Sequence, residues 1–268
     1  MTVFASGFSW YQLLPGVGDG SLGHTLGLAT PHEAWVIPAA WAGAFVILGV
    51  AVLARMGLES ALKKDGPERF IPDSGFTPRN LLEIFVEGFY NLVEGILGHK
   101  EAPRFFPLTG SIFLYIVVSN LMGLIPGLLP ATENFSNNLA MALVVFVVFN
   151  YAGLSRNGMA YIRHLAGPML AVAPLLFPLE VLGLLIRPAS LTIRLTANMF
   201  ADHTVSMVMR QVSGDLLGWL GAAVIPVPFY ALGLFVCVIQ GFVFSLLSTA
   251  YVGLSTADMS HGHDDHHH

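Results

Sequence analysis

Charge is scarce in this sequence. Asp, Glu, Lys and Arg supply 11% of its 268 residues and hydrophobic residues 54%, at a mean hydropathy of +0.68. An ordinary soluble domain is about one quarter charged. The deficit excludes a water-facing surface over most of the chain and assigns it to the membrane class. Net charge is -5, and no basic cluster is dense enough to follow a phosphate backbone, which argues against nucleic acid as a partner. Cysteine is nearly absent. Cys237 alone cannot form an internal disulfide, and amid Phe235, Val236 and Val238 it reads as a small core or lipid-facing residue. The first 34 residues hold no Lys or Arg, so the positive n-region of a cleavable signal peptide is missing and the segment is expected to stay on the mature chain. No internal repeat of the kind found in many secondary transporters is visible.

Apolar runs fill the rest. A bilayer core needs about 20 mostly apolar residues per helix. The runs at about Trp35–Leu53, Phe106–Leu129 and Leu139–Leu154 meet or approach that length, the last two joined by a short turn with Pro130, Glu133, Asn134 and Asn137. Between the first and second, a polar segment broken by Pro67, Pro72 and Pro78 reads as a solvated loop. From Arg79 to Leu97, apolar residues recur at helical spacing opposite Glu83, Glu87 and Glu94, the pattern of an amphipathic helix at the membrane surface. Residues 165–209 are too long for one perpendicular span and carry four prolines, which predicts a strongly tilted or broken helix pair. The final run, about Leu216–Leu254, is also long enough to require tilt.

The predicted fold class is all-α: a polytopic membrane protein with about five crossing helices plus an interfacial amphipathic helix, the last two helices long and tilted. Residues 1–34 are expected to form an extracytoplasmic segment, 35–257 a single helical membrane domain and 258–268 a cytoplasmic His-rich tail. Nine of the 12 basic residues fall at 55–104 and 156–163. The positive-inside rule then puts those loops in the cytoplasm, the N-terminus outside and the C-terminus inside. The tail, SHGHDDHHH, contains metal-ligating residue types but imposes no geometry on them, and it reads as solvated.

Besides its serines and threonines, the 165–209 run holds Glu180, Arg187, Arg194, Asn198, Asp202 and His203. A charge at the centre of a membrane helix costs about 2.5–3.5 kcal/mol even on insertion scales, so these groups must face something polar. At about 100° per residue, Glu180, Arg187, Asn198 and Asp202 lie within roughly 80° of Arg194, while His203 points away. One account pairs Arg187 or Arg194 with Glu180 or Asp202 inside the bundle. The other makes Arg194 part of an ion path, because a permanent positive charge in hydrocarbon attracts a carboxylate and blocks a cation. On the last helix, Gln240 follows an unbroken apolar run and reads either as interhelical glue or as part of the same path.

RPASLTIRLTANMFADH at 187–203, preceded by APLLFPLE at 173–180, resembles the signature helix of subunit a of F-type ATP synthases. SNLMGLIPG at 119–127 and IQGFVF at 239–244, with Tyr251 beyond, match the family's second span and final helix in the same order. The resemblance covers about residues 80–257. It implies a stator subunit without catalytic activity or cofactor, set in the bacterial inner membrane beside a ring of c subunits, the subunit b peripheral stalk and the remainder of the complex. It also implies two offset half-channels leading protons to the ring carboxylates. Arg194 then occupies the place of the arginine that prevents a proton short circuit, and Glu180, Asn198, His203 and Gln240 match positions that line the half-channels or support it. One position departs from the pattern. Where many members carry an acid or histidine seven residues before the glutamine, as partner to the residue at His203, this chain has Gly233. Asp202, next to His203 in sequence, is by proximity one candidate acid for the same channel; a local capping or salt-bridge role is the other reading of it. The alternative from another class is an autonomous secondary transporter or channel that uses Arg194 to bind an anionic substrate; a third is an assembly scaffold.

Overall fold

The structure is a computed structural model that describes residues 10–15, 17, 21–25, 34–62, 77–125, 127–161 and 173–257. Among these residues the six long helices are α1 Val36–Leu62, α2 Pro78–Leu97, α3 Ala102–Gly123, α4 Phe135–Asn157, α5 Ala173–Val224 and α6 Val227–Thr256. A 3-10 turn at Trp10–Leu13 and a single helical turn at Ser21–Thr25 precede them, and a second 3-10 turn, Ala131–Glu133, lies between α3 and α4. No strand occurs among the described residues. Among the described residues five helices, all but α2, are long and apolar enough to cross a membrane. The protein is an all-helical, multi-pass membrane protein.

Local chemistry explains several of the boundaries. Thr77 caps α2 by accepting from the Asn80 backbone N–H, with Pro78 in the first turn where its missing N–H costs nothing. Asn134 caps α4 by accepting from the N–H groups of Ser136 and Asn137. α2 ends at Gly98 and α4 at Gly158, both with positive φ. On α2, Phe85 and Phe89 pack onto Phe113 of α3, with ring centroids 5.1 and 5.0 Å apart, so its aromatic stripe faces the bundle.

Two expectations change. The second span ends at Gly123 rather than near Leu129, because the chain turns there and folds back through the 3-10 turn. The 165–209 run and the start of the last run belong to one element. α5 passes through Pro178 and Pro188 without breaking, and its non-helical residue is Gly218, at φ 65° and ψ -154°, a conformation available to glycine. The last helix therefore starts at Val227, after a turn at Ile225 and Pro226, and not near Leu216. From Leu176 to Leu217, ahead of the kink at Gly218, α5 runs 42 residues (217 - 176 + 1), at about 1.5 Å each roughly 63 Å, about twice a hydrocarbon core of about 30 Å. Only a strongly inclined helix keeps that length in contact with lipid.

The main core joins α3, α4, α5 and α6 through Ile112, Ile116, Val145, Phe149, Leu191, Leu195, Phe244 and Val252. α3 and α6 pack most extensively, with α4 against both α5 and α6. Of the apolar window in α5 only 17% is buried by this chain, against 44% in α3, so one long face of α5 is left uncovered. Cys237 is buried, which resolves its placement in favour of the core.

Candidate functional site

α5 sorts its polar side chains by face. Leu191, Leu195 and Met199 recur every four residues and are at most 3% exposed, which fixes that face against α4 and α6. Arg194, one residue before Leu195, is therefore rotated away from the core and lies exposed among Ile193, Ala197 and Phe200. Among the described residues nothing forms an ion pair or hydrogen bond with its guanidinium. Pairing inside the bundle, one account of this residue, is not what the fold provides.

Asn198, one turn further, is half-buried and turns toward α6, where its side-chain amide donates to Gln240 Oε1 at 2.7 Å. Gln240 is 4% exposed. Its neighbour Gly241 gives α3 close access: a Cβ there would meet Val117 at 2.8 Å. Asp202, another turn along, is half-buried against Gly233 of α6, whose missing side chain makes room for it. A Cβ on Gly233 would stand 2.6 Å from Asp202 Oδ2. The absent partner and the extra acid thus occupy one space.

His203, about 100° round the helix from Asp202, faces the 3-10 turn between α3 and α4, and its Nδ1 lies 3.3 Å from Glu133 Oε2. A cavity of about 30 Å³ opens beside it, lined among others by Asn120, Asp202, His203, Ser206, Arg210 and Tyr230. That volume exceeds the roughly 10–15 Å³ a single water requires. Glu180 is not brought into this group. It is exposed near the start of α5, about 21 Å along the axis from Arg194 at 1.5 Å per residue. Arg187 joins neither acid: its guanidinium lies over the rings of Phe149 and Tyr251, 5.9 and 5.2 Å from their centroids.

A buried polar network goes unmarked by hydrophobic periodicity. Thr132 Oγ1 donates to Asn120 Oδ1 at 2.5 Å, and the Asn138 amide donates to the Thr132 carbonyl at 2.6 Å and to Thr196 Oγ1 at 2.8 Å. Asn120, Thr132 and Asn138 are fully buried. They tie α3, the 3-10 turn and α4 to α5 two residues from Arg194. The sequence signal was present in SNLMGLIPG and in the paired Asn137 and Asn138, but nothing in spacing shows that they meet. Among the described residues no cluster of three metal-ligating side chains occurs, and the His-rich tail lies outside them.

These features define a multi-pass helical membrane protein whose longest helix presents an unpaired arginine on one face and joins polar clusters on another. The family model described as ATP synthase A chain matches residues 39–253. The ATP synthase subunit a of Bdellovibrio bacteriovorus is 36% identical over 254 residues, covering 93% of this chain and 98% of that relative. The subunit a of Sorangium cellulosum is 42% identical over 194 residues, 72% of this chain and 73% of the relative. That of Desulfosudis oleivorans is 40% identical over 185 residues, 69% and 76%. The chain belongs to the ATP synthase subunit a family.

Proposed function

We propose that this protein is the proton-conducting, non-catalytic subunit a of an F-type ATP synthase membrane sector, and that Arg194 separates two half-channels serving the carboxylates of a c-subunit ring. The observation that carries the reading is the exposure of Arg194, without a partner in its own chain, on the uncovered face of a membrane helix. Such a charge in hydrocarbon requires a counter-charge from another subunit. A mid-membrane carboxylate supplies it, and the pair is tolerable where either ion alone is not.

With the N-terminus outside and the C-terminus in the cytoplasm, of a bacterial inner membrane, α5 runs outward. Glu180 then sits on the cytoplasmic side of Arg194, and Asp202 and His203 sit about 12–14 Å beyond it on the outer side. Glu180 and His203 titrate and serve the two proton paths; Asn198 and Gln240, which do not titrate, hold water and the arginine in register. Arg194 stays charged at any physiological pH, so a proton moving directly between the two paths meets a positive barrier and must ride the ring instead. Each proton crossing delivers about 2.3 kcal/mol per 100 mV of membrane potential, which a leak past Arg194 would dissipate. Subunit b and the rest of the complex hold the chain still against ring rotation.

The test is Arg194→Ala in the assembled complex in inverted membrane vesicles. ATP-driven proton pumping should vanish, and the normal pumping rate in this variant would overturn the reading. Loss of uptake of a small anion, with ATP-driven pumping intact, would instead identify an autonomous transporter.

A further inference from the structure

Glu133 is held where a loop carboxylate would not ordinarily stay. Residues 131–133 form the 3-10 turn between α3 and α4, with the Glu133 N–H donating to the Pro130 carbonyl at 3.0 Å. Ala131 and Thr132 are buried, and the hydrogen bonds of Thr132 to Asn120 and of Asn138 to Thr132 and Thr196 lock the turn onto α5. The Glu133 side chain is consequently turned inward, 18% exposed, toward a His203 ring that is 21% exposed. Its Oε2 is shut off from solvent and accepts no hydrogen bond, yet lies 3.3 Å from His203 Nδ1.

A shielded carboxylate oxygen facing an imidazole nitrogen at this separation finds its polar partner in that ring, with one proton between them. Whether on the carboxyl or on the ring, that proton is bound at the same spot. His203 also lines the cavity shared with Asp202, Arg210 and Tyr230, the ionisable groups that line it from α5 and α6. The imidazole thus contacts both a carboxyl on the turn and a polar cavity beside α5.

We propose that Glu133 is the acidic partner of His203 and the outer proton-exchanging group of the half-channel, filling the role left open by Gly233. The proposal rests on the reading that α5 lines the proton path. In the transfer, the O–H bond of Glu133 breaks as an N–H bond forms on His203 Nδ1, and the resulting imidazolium releases the proton of its other ring nitrogen into the cavity. Glu133 is left as a carboxylate that takes the next proton from the outer aqueous phase. The ring resets by rotating about its Cβ–Cγ bond, which carries the N–H toward the cavity and presents the unprotonated nitrogen to Glu133.

The experiment uses the whole complex in inverted vesicles, with pumping normalised to the amount of this subunit retained. Glu133→Gln should lower both ATP-driven pumping and passive proton conductance on the order of tenfold or more. Glu133→Asp should keep a substantial part of both. Exchanging the pair, Glu133→His with His203→Glu, should pump faster than either single exchange. Undiminished pumping by Glu133→Gln overturns the proposal, as does a double exchange no better than the singles. If Glu133→Gln prevents assembly, Glu133→Asp and the double exchange carry the decision. Arg194→Ala in the same vesicles separates the two levels: inactive Arg194→Ala with fully active Glu133→Gln removes the Glu133 role alone, whereas active Arg194→Ala removes the reading beneath it.

Discussion

Asn198 donates to Gln240 at 2.7 Å, and this bond joins α5 to α6 one helical turn beyond Arg194. It reinforces the rotation of α5 that the buried Leu191, Leu195 and Met199 set, the rotation that turns Arg194 outward. Asn198→Ala leaves the buried Gln240 amide, and Gln240→Ala the half-buried Asn198 amide, without this partner. Each substitution should slow ATP-driven pumping while Arg194 remains in place, and the double variant should lose less than the sum of the singles. A double-mutant cycle on thermal unfolding in mild detergent should return a coupling of about 0.6–2 kcal/mol, the range for polar pairs between membrane helices. Strict additivity would show that the bond contributes nothing.

Gly233 is glycine because Asp202 occupies the volume of its side chain. Gly233→Ala should push the Asp202 carboxylate aside and reduce proton conductance. Asp202→Ala in the same chain removes the collision, so the double variant should be as stable as Asp202→Ala alone. Equal destabilisation by Gly233→Ala with and without Asp202 would place the clash elsewhere.

Gly123 ends α3 directly under Pro130, and a Cβ there would stand 2.8 Å from the proline Cγ. The ring cannot move by rotamer change. Gly123→Ala should cost about 1–3 kcal/mol, as overpacking does, and should displace the turn that carries Glu133. A lower unfolding temperature together with slower pumping is the expected outcome. An unchanged unfolding temperature would contradict the packing.

His99, in the loop after α2, forms a hydrogen bond with Glu94 and feels its negative charge. Together these raise its pKa above the ordinary 6.5, against a smaller opposing effect of desolvation. Because the folded-state pKa is raised, the stabilising interaction is complete below the unfolded pKa and disappears as pH rises through the folded one. A ring-proton NMR titration of the protein in detergent should give a His99 midpoint above that of a free peptide, and Glu94→Gln should bring it down. The ring is fully exposed, so overall stability should scarcely respond.

Much of this architecture could be read along the chain. The five crossings follow from apolar length, the amphipathic α2 from the spacing of Phe85, Phe89 and Val93, and the importance of Arg194 from the cost of a charge in a membrane helix. Such features depend on residues within one element, where helical periodicity carries the information. The helix boundaries between 209 and 227 were less legible. Pro178 and Pro188 looked like breaks but lie within a continuous helix, while Gly218, which no apolar pattern marks, interrupts it.

By itself, the sequence determined which residues are chemically out of place, Arg194, Asp202 and His203, and the family resemblance marked the glycine at 233. Only the tertiary structure decided what each of them meets. Arg194 proved to face outward because Leu195 is held in the core, Asp202 proved to lie over Gly233, and His203 proved to meet Glu133 from a turn 70 residues earlier in the chain. Helical spacing states the angle between side chains on one rod. It contains nothing about which neighbouring rod or turn packs there, because that choice is made by the core formed among α3, α4, α5 and α6 and by the buried bonds of Asn120, Thr132 and Asn138.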